Sequence, residues 1–72
     1  MSLEHEVAEA AEKVRYYNMV FDVSYHLGNE DTAYNTMFPI IEWEAKLDAL
    51  MYEHNLTEHD VKNIVQKVSE NL

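Results

Sequence analysis

Four histidines, His5, His26, His54 and His59, are the side chains of this chain best suited to metal ligation or to proton transfer near neutral pH. Their spacing argues against both roles. None stands four residues from another on one helical face, and neither a His-Glu-x-x-His nor a Glu-x-x-His arrangement occurs. His54 and His59 flank one joint of the chain beside Glu58, but histidines at helix ends ordinarily face solvent or answer the helix dipole. Paired acids are frequent (Glu4/Glu6, Glu30/Asp31, Glu42/Glu44), and among fourteen acidic residues most read as solvated faces. A catalytic carboxylate pair needs a sheltered cleft and displaced pKa values, and a chain of 72 residues offers little cleft. Ser2, Ser24 and Ser69 lie in no nucleophile context. A single glycine rules out a glycine-rich phosphate loop, and there is no cysteine to serve as thiolate ligand, nucleophile or disulfide. The reading is a protein without catalytic residues, metal or cofactor.

Composition sets the frame around these residues. Seventy-two residues make one small domain, which buries only ~60% of its unfolded surface, so regular helix packing or self-association must make up the deficit. One glycine and one proline imply few, long elements, and abundant Ala, Leu, Glu, Lys and Met favour helix. Fourteen acids against five bases give a net charge of −9. Such a chain is repelled by nucleic acid and by anionic membrane surfaces, and it attracts basic partners. Its apolar runs fall far short of a membrane span. The N-terminus shows no basic segment followed by an apolar one, so a cytoplasmic location is expected. Met1, Ser2 and Leu3 carry no functional weight.

Punctuation falls at two places. In the first, residues 27–31, Gly28 suits a left-handed residue past a helix end, Asn29 a cap, and Glu30 and Asp31 a first turn. In the second, residues 54–61, Thr57 reads as N-cap with Leu56 and Val61 as staple; Asp60 sits where a capping box prefers Glu or Gln. The helices are therefore expected at about 3–27, 30–54 and 58–71. Three pairs support them in the favoured order on exposed faces: Glu9–Lys13, Glu42–Lys46 and Glu58–Lys62. Pro39 is discordant. It kinks the second helix or restarts it behind Thr36 as cap; the preferred reading is a short turn at 30–37, a bend, then the main helix.

The first helix has one seam of Leu3, Val7, Ala10, Val14, Tyr17, Phe21 and Tyr25, and in its second half a further apolar face of Tyr16, Met19, Val20, Val23 and Leu27. The second helix has Ile40, Trp43, Leu47, Leu50 and Met51 on one face and Phe38, Ile41, Ala45, Ala49 and Tyr52 on another, with Glu44 and Asp48 between them on one side. It thus reads as sandwiched between two layers. The third has a single stripe of Val61, Ile64, Val65, Val68 and Leu72. It covers one face of the hairpin made by the first two and leaves another over, which a second copy would close as a homodimeric helical bundle. The fold class is all-α: a long antiparallel hairpin, bent near Pro39, with a shorter C-terminal helix.

Seven of the eight aromatic residues lie between Tyr16 and Trp43, and no Lys or Arg occurs from Tyr16 through Ala45. Either the aromatics fill the core as a group and the acids solvate it, or one end of the hairpin is an aromatic surface with an acidic rim. On the second alternative the protein is a non-enzymatic interaction module, an adaptor or inhibitor. Tyr34, Phe38, Ile41, Trp43, Glu44, Asp48 and Tyr52 would then meet a basic protein surface, including one that binds nucleic acid, where acidic helices compete with phosphate. The alternatives are a structural homo-oligomer and a small-ligand or metal-binding bundle. In its general look, short, acidic, helical and cysteine-free, the chain resembles small bacterial or bacteriophage accessory proteins. No motif stands behind that likeness.

Overall fold

The computed structural model describes residues 2–70. They form three helices, α1 (Leu3–His26), α2 (Glu30–Glu53) and α3 (Glu58–Glu70). α1 and α2 pack along each other as an antiparallel hairpin, and α3 returns against α1. The ends fall within one residue of those the sequence suggests, because each joint is written in residues with one conformational job.

At the first joint Gly28 has φ +75°, its N–H donates to the Tyr25 carbonyl (3.1 Å), and the Asn29 N–H donates to the Ser24 carbonyl (2.9 Å). This is a Schellman ending, which satisfies carbonyls that the helix leaves without partners. The second joint repeats it with Asn55 at φ 52° in the glycine position: Asn55 N–H to Tyr52 carbonyl (3.4 Å), Leu56 N–H to Met51 carbonyl (2.8 Å). Asparagine tolerates this region better than other side chains. Asn29 then caps α2 by accepting from the Thr32 N–H (3.3 Å). Ser2, given no weight in the sequence reading, caps α1 by accepting from the His5 N–H (3.2 Å).

At Pro39 the expected break between a short turn at 30–37 and a main helix does not occur. α2 runs unbroken from Glu30 to Glu53 with Pro39 inside it. Thr36 starts no new helix; its hydroxyl donates back to the Thr32 carbonyl (2.6 Å), one turn earlier. Proline removes the amide that would have bonded the Asn35 carbonyl. The helix continues because both sides of the lesion are anchored against α1: Ala33 and Thr36 are buried before it, and Ile40, Trp43 and Leu47 are half-buried after it.

A strict alternation of three and four runs through the covered side chains: Leu3, Val7, Ala10, Val14, Tyr17, Phe21 and Ser24 on α1, and Ala33, Thr36, Ile40, Trp43, Leu47 and Leu50 on α2. Ala8 is buried beside that row, and Ala11, Val20 and Met51 are half-buried beside it. That spacing is the seam of a two-helix coiled coil. It ends on Ser24, which is buried, and not on Tyr25, which is 69% exposed. Near the turn the seam is built of small residues, Ser24, Ala33 and Thr36, which lets the backbones approach; away from it Val7 and Ala10 are fully covered. α3 covers the N-terminal half of α1 with Val61, Ile64, Val65 and Val68 half-buried; Leu72 of the expected stripe lies outside the described residues. Lys67 reaches the Glu4 carboxylate (3.3 Å), an exposed pair that contributes ~1 kcal/mol at most.

Most of the second apolar face of each long helix stays uncovered. Tyr16, Met19 and Val23 on α1, Leu27 at its C-terminal cap, and Tyr34, Phe38, Ile41 and Tyr52 on α2 are exposed; Val20 of the expected face is half-buried. The expected sandwich is therefore half made within one chain, since α3, with 13 residues, packs on α1 away from these faces. Nor do the aromatics fill the core as a group: Tyr17, Phe21 and Trp43 are half-buried and the other five are exposed.

Candidate functional site

Glu44 and Asp48 lie in one of two grooves among the described residues. With Val14, Leu47, Met51, Glu58 and Val61 they line a groove of about 300 Å³ where α2, the start of α3 and the middle of α1 meet. Its floor is aliphatic. Its polar lining is three carboxylates, and no basic residue takes part. The local sequence dictates this arrangement. Glu44, Asp48 and Met51 follow at helical spacing on the flank of α2 beside its seam. The tight turn at 54–57 then folds the first turn of α3, carrying Glu58 and Val61, back along that flank.

The N-terminus of α3 is fixed by a reciprocal capping box. The Thr57 N–H donates to Asp60 Oδ2 (2.9 Å), and the Asp60 N–H donates to Thr57 Oγ1 (3.1 Å). Aspartate thus does here what glutamate usually does. The hydrogen bond from the Thr57 backbone, then that with its hydroxyl, holds the Asp60 carboxyl below its ordinary pKa, with His59 adding to the effect. A lowered pKa in the folded state means that the contribution to stability is complete above the unfolded value of ~3.9 and fades as pH falls toward the folded one. Asp60→Ala is therefore expected to melt below the parent at pH 6, and the gap between the two melting curves should narrow from pH 4 downward. A gap independent of pH would assign the loss to helix propensity alone.

A second, larger groove of about 520 Å³ lies between α1 and α3, lined by His5, Ala8, Glu9, Glu12, Arg15, Val65, Val68 and Ser69. Its charges are mixed, and Arg15 is engaged by Glu12 at 3.1 Å. The expected pairs Glu9–Lys13, Glu42–Lys46 and Glu58–Lys62 do not close; among the described residues the ion pairs are Arg15–Glu12 and Lys67–Glu4. Lys46 turns instead over the Trp43 ring, 4.9 Å from its centroid, a cation–π contact that competes with an exposed carboxylate.

The seven residues expected to form one interaction surface are thus divided among three places. Glu44 and Asp48 line the groove. Tyr34, Phe38, Ile41 and Tyr52 stand on the outer face of α2, with Tyr34 and Phe38 in edge-to-face contact at 5.4 Å. Trp43 belongs to the α1–α2 seam and is half-buried there. Sequence reasoning did not place Glu58 and Val61 in the site. The signal was present: a helix beginning at Thr57 must set its first turn beside the last turns of the helix before it. Among the described residues no group of three His, Asp or Glu side chains is placed to hold a metal ion, and no helix is long and apolar enough to cross a membrane. Comparison with protein-family models, with curated proteins and with solved structures gave no match.

Proposed function

We propose that this chain is a non-enzymatic protein-interaction module that receives a lysine or arginine side chain of a basic protein partner in the groove between α2 and α3. The observation that carries the reading is the groove's lining: Glu44, Asp48 and Glu58 around a floor of Val14, Leu47, Met51 and Val61, with no base of its own. A long basic side chain matches such a groove, its aliphatic stem lying on the floor and its charged head reaching the carboxylates. The net charge of −9 draws basic surfaces in and turns nucleic acid away.

Titration of labelled protein with short lysine- and arginine-bearing peptides, followed by NMR, tests this. Shifts should gather at Glu44, Asp48, Glu58 and Val61, and Glu44→Lys should weaken binding at least ~10-fold, or ~1.4 kcal/mol. Shifts spread over all acidic residues alike, or none, would reject the groove as the site. A second reading, a structural homo-oligomer, is favoured by the large apolar side chains left exposed on α1 and α2.

A further inference from the structure

The outer face of α2 presents Tyr34, Phe38, Ile41, Ala45, Ala49 and Tyr52, all exposed, at steps of three and four residues along one side of the helix. Their order is not uniform. Large side chains occupy the N-terminal part, alanines the C-terminal part, and a tyrosine stands at each end. From this we propose that the occupant of the face is a second copy of the same chain, packed α2 against α2 in antiparallel sense about a two-fold axis level with residue 43. The proposal does not draw on the groove reading. It deepens the homo-oligomer alternative by naming the interface.

Three observations converge on that occupant. The first is self-complementarity. Reversing the face about residue 43 sets Ile41 against Ala45 of the other copy, Phe38 over the Ala45–Ala49 step, and Tyr34 beside Tyr52. Large meets small at each inner level, as interdigitating layers require. A parallel pairing would set large on large and leave the alanines facing a gap. The second is area. Tyr34, Phe38 and Tyr52 are 63%, 52% and 87% exposed; at ~200 Å² per ring side chain they bring on the order of 400 Å² per copy. Ile41 and Met37, 61% and 44% exposed, carry the face toward the ~800 Å² per partner of a standard interface. The third is charge. Lys46 is the one base on α2, and it shares a flank of this face with Glu42; in the single chain it lies over the Trp43 ring, and the two-fold brings each copy's Lys46 within reach of the other's Glu42, twice. The opposite flank carries Glu44 and Asp48 in both copies and each copy has a net charge of −9, so the dimer should tighten as salt screens the repulsion.

Sedimentation equilibrium over two decades of concentration, at low and at physiological salt, provides the first test. The expected mass is twice the 8.5 kDa of one chain, with the dissociation constant falling as salt is added. Ala45→Glu and Ala49→Glu should each restore the single-chain mass with the helical circular dichroism unchanged, since both positions are exposed in the single chain. The chain has no cysteine, so orientation can be read by oxidation. A mixture of Ile41→Cys and Ala45→Cys chains should cross-link. Tyr34→Cys alone should not, its two copies being ~27 Å apart along the helices at 1.5 Å per residue. A single-chain mass at every concentration, a dimer that survives Ala45→Glu, or preferred self-cross-linking of Tyr34→Cys would overturn the proposal.

Discussion

Val7→Asp is expected to leave the chain largely unfolded at neutral pH. Val7 is the one large side chain among the described residues with no exposed surface, at the place where α1 is covered by α2 on one side and α3 on another. A carboxylate there has no basic partner, and an uncompensated buried charge costs ~3–5 kcal/mol. The lost valine burial adds ~1.5 kcal/mol. A domain of this size has only ~4–10 kcal/mol in total, at ~0.05–0.15 kcal/mol per residue. Circular dichroism at 25 °C should show most of the helical signal gone. Burial raises the pKa of such a carboxyl in the folded state, so the penalty applies above that pKa and is relieved as pH falls; partial recovery of helix near pH 4 is expected. Val7→Ala, by contrast, should keep the fold at a cost of about 1–3 kcal/mol. A folded Val7→Asp chain at pH 7 would mean that this part of the core admits water.

The second large effect is steric. Ala33→Leu should destabilise the protein by ~1–3 kcal/mol, a fall in melting temperature of ~4–8 °C per kcal/mol for a domain of 60–100 residues. Ala33 is 5% exposed, and Ser24 and Thr36 are each 7% exposed on the same stretch of seam. Three small residues there set the close approach of α1 and α2 beside their turn. A leucine adds three carbons with no space to receive them, and the short Gly28 joint prevents the helices from spreading. An unchanged or raised melting temperature in a thermal scan would show that the approach is looser than these exposures indicate.

Those three residues also mark where the fold stops being legible from the chain. Helix count and boundaries could be read because Gly28, Asn29 and Thr57 each have one conformational use. The covered and uncovered faces of α2 could be read because Ile40, Trp43, Leu47 and Leu50 recur with the helical period. The end of the α1 seam could not, since a search for apolar recurrence passes over serine and settles on Tyr25, one residue too far. The restart read at Pro39 misleads for a related reason. Proline's local cost is known, but whether a helix bears it depends on what anchors the turns before and after, which is a property of the packed hairpin. The groove was half legible. Glu44 and Asp48 stood out as acids between two apolar faces, while Glu58 and Val61 joined them only through the direction in which α3 leaves its turn. Trp43 was read both as part of the face with Ile40 and Leu47 and as an interaction residue, and the structure places it half-buried in the seam.

α3 contains no fully buried residue, whereas the hairpin it leans on has its own seam. The cost of lifting α3 away is therefore smaller than the cost of unfolding the whole, and a partly opened state in which the hairpin persists is expected before global unfolding. In that state Glu58 and Val61 leave, and the groove loses one wall. Ligand occupancy of the groove and the docking of α3 are then two linked equilibria. A ligand held by Glu44 and Glu58 together shifts α3 toward the docked state, and by the same free energy anything that frees α3 loosens the ligand. On the proposed function, the last helix would act as the clasp of the site as well as its wall.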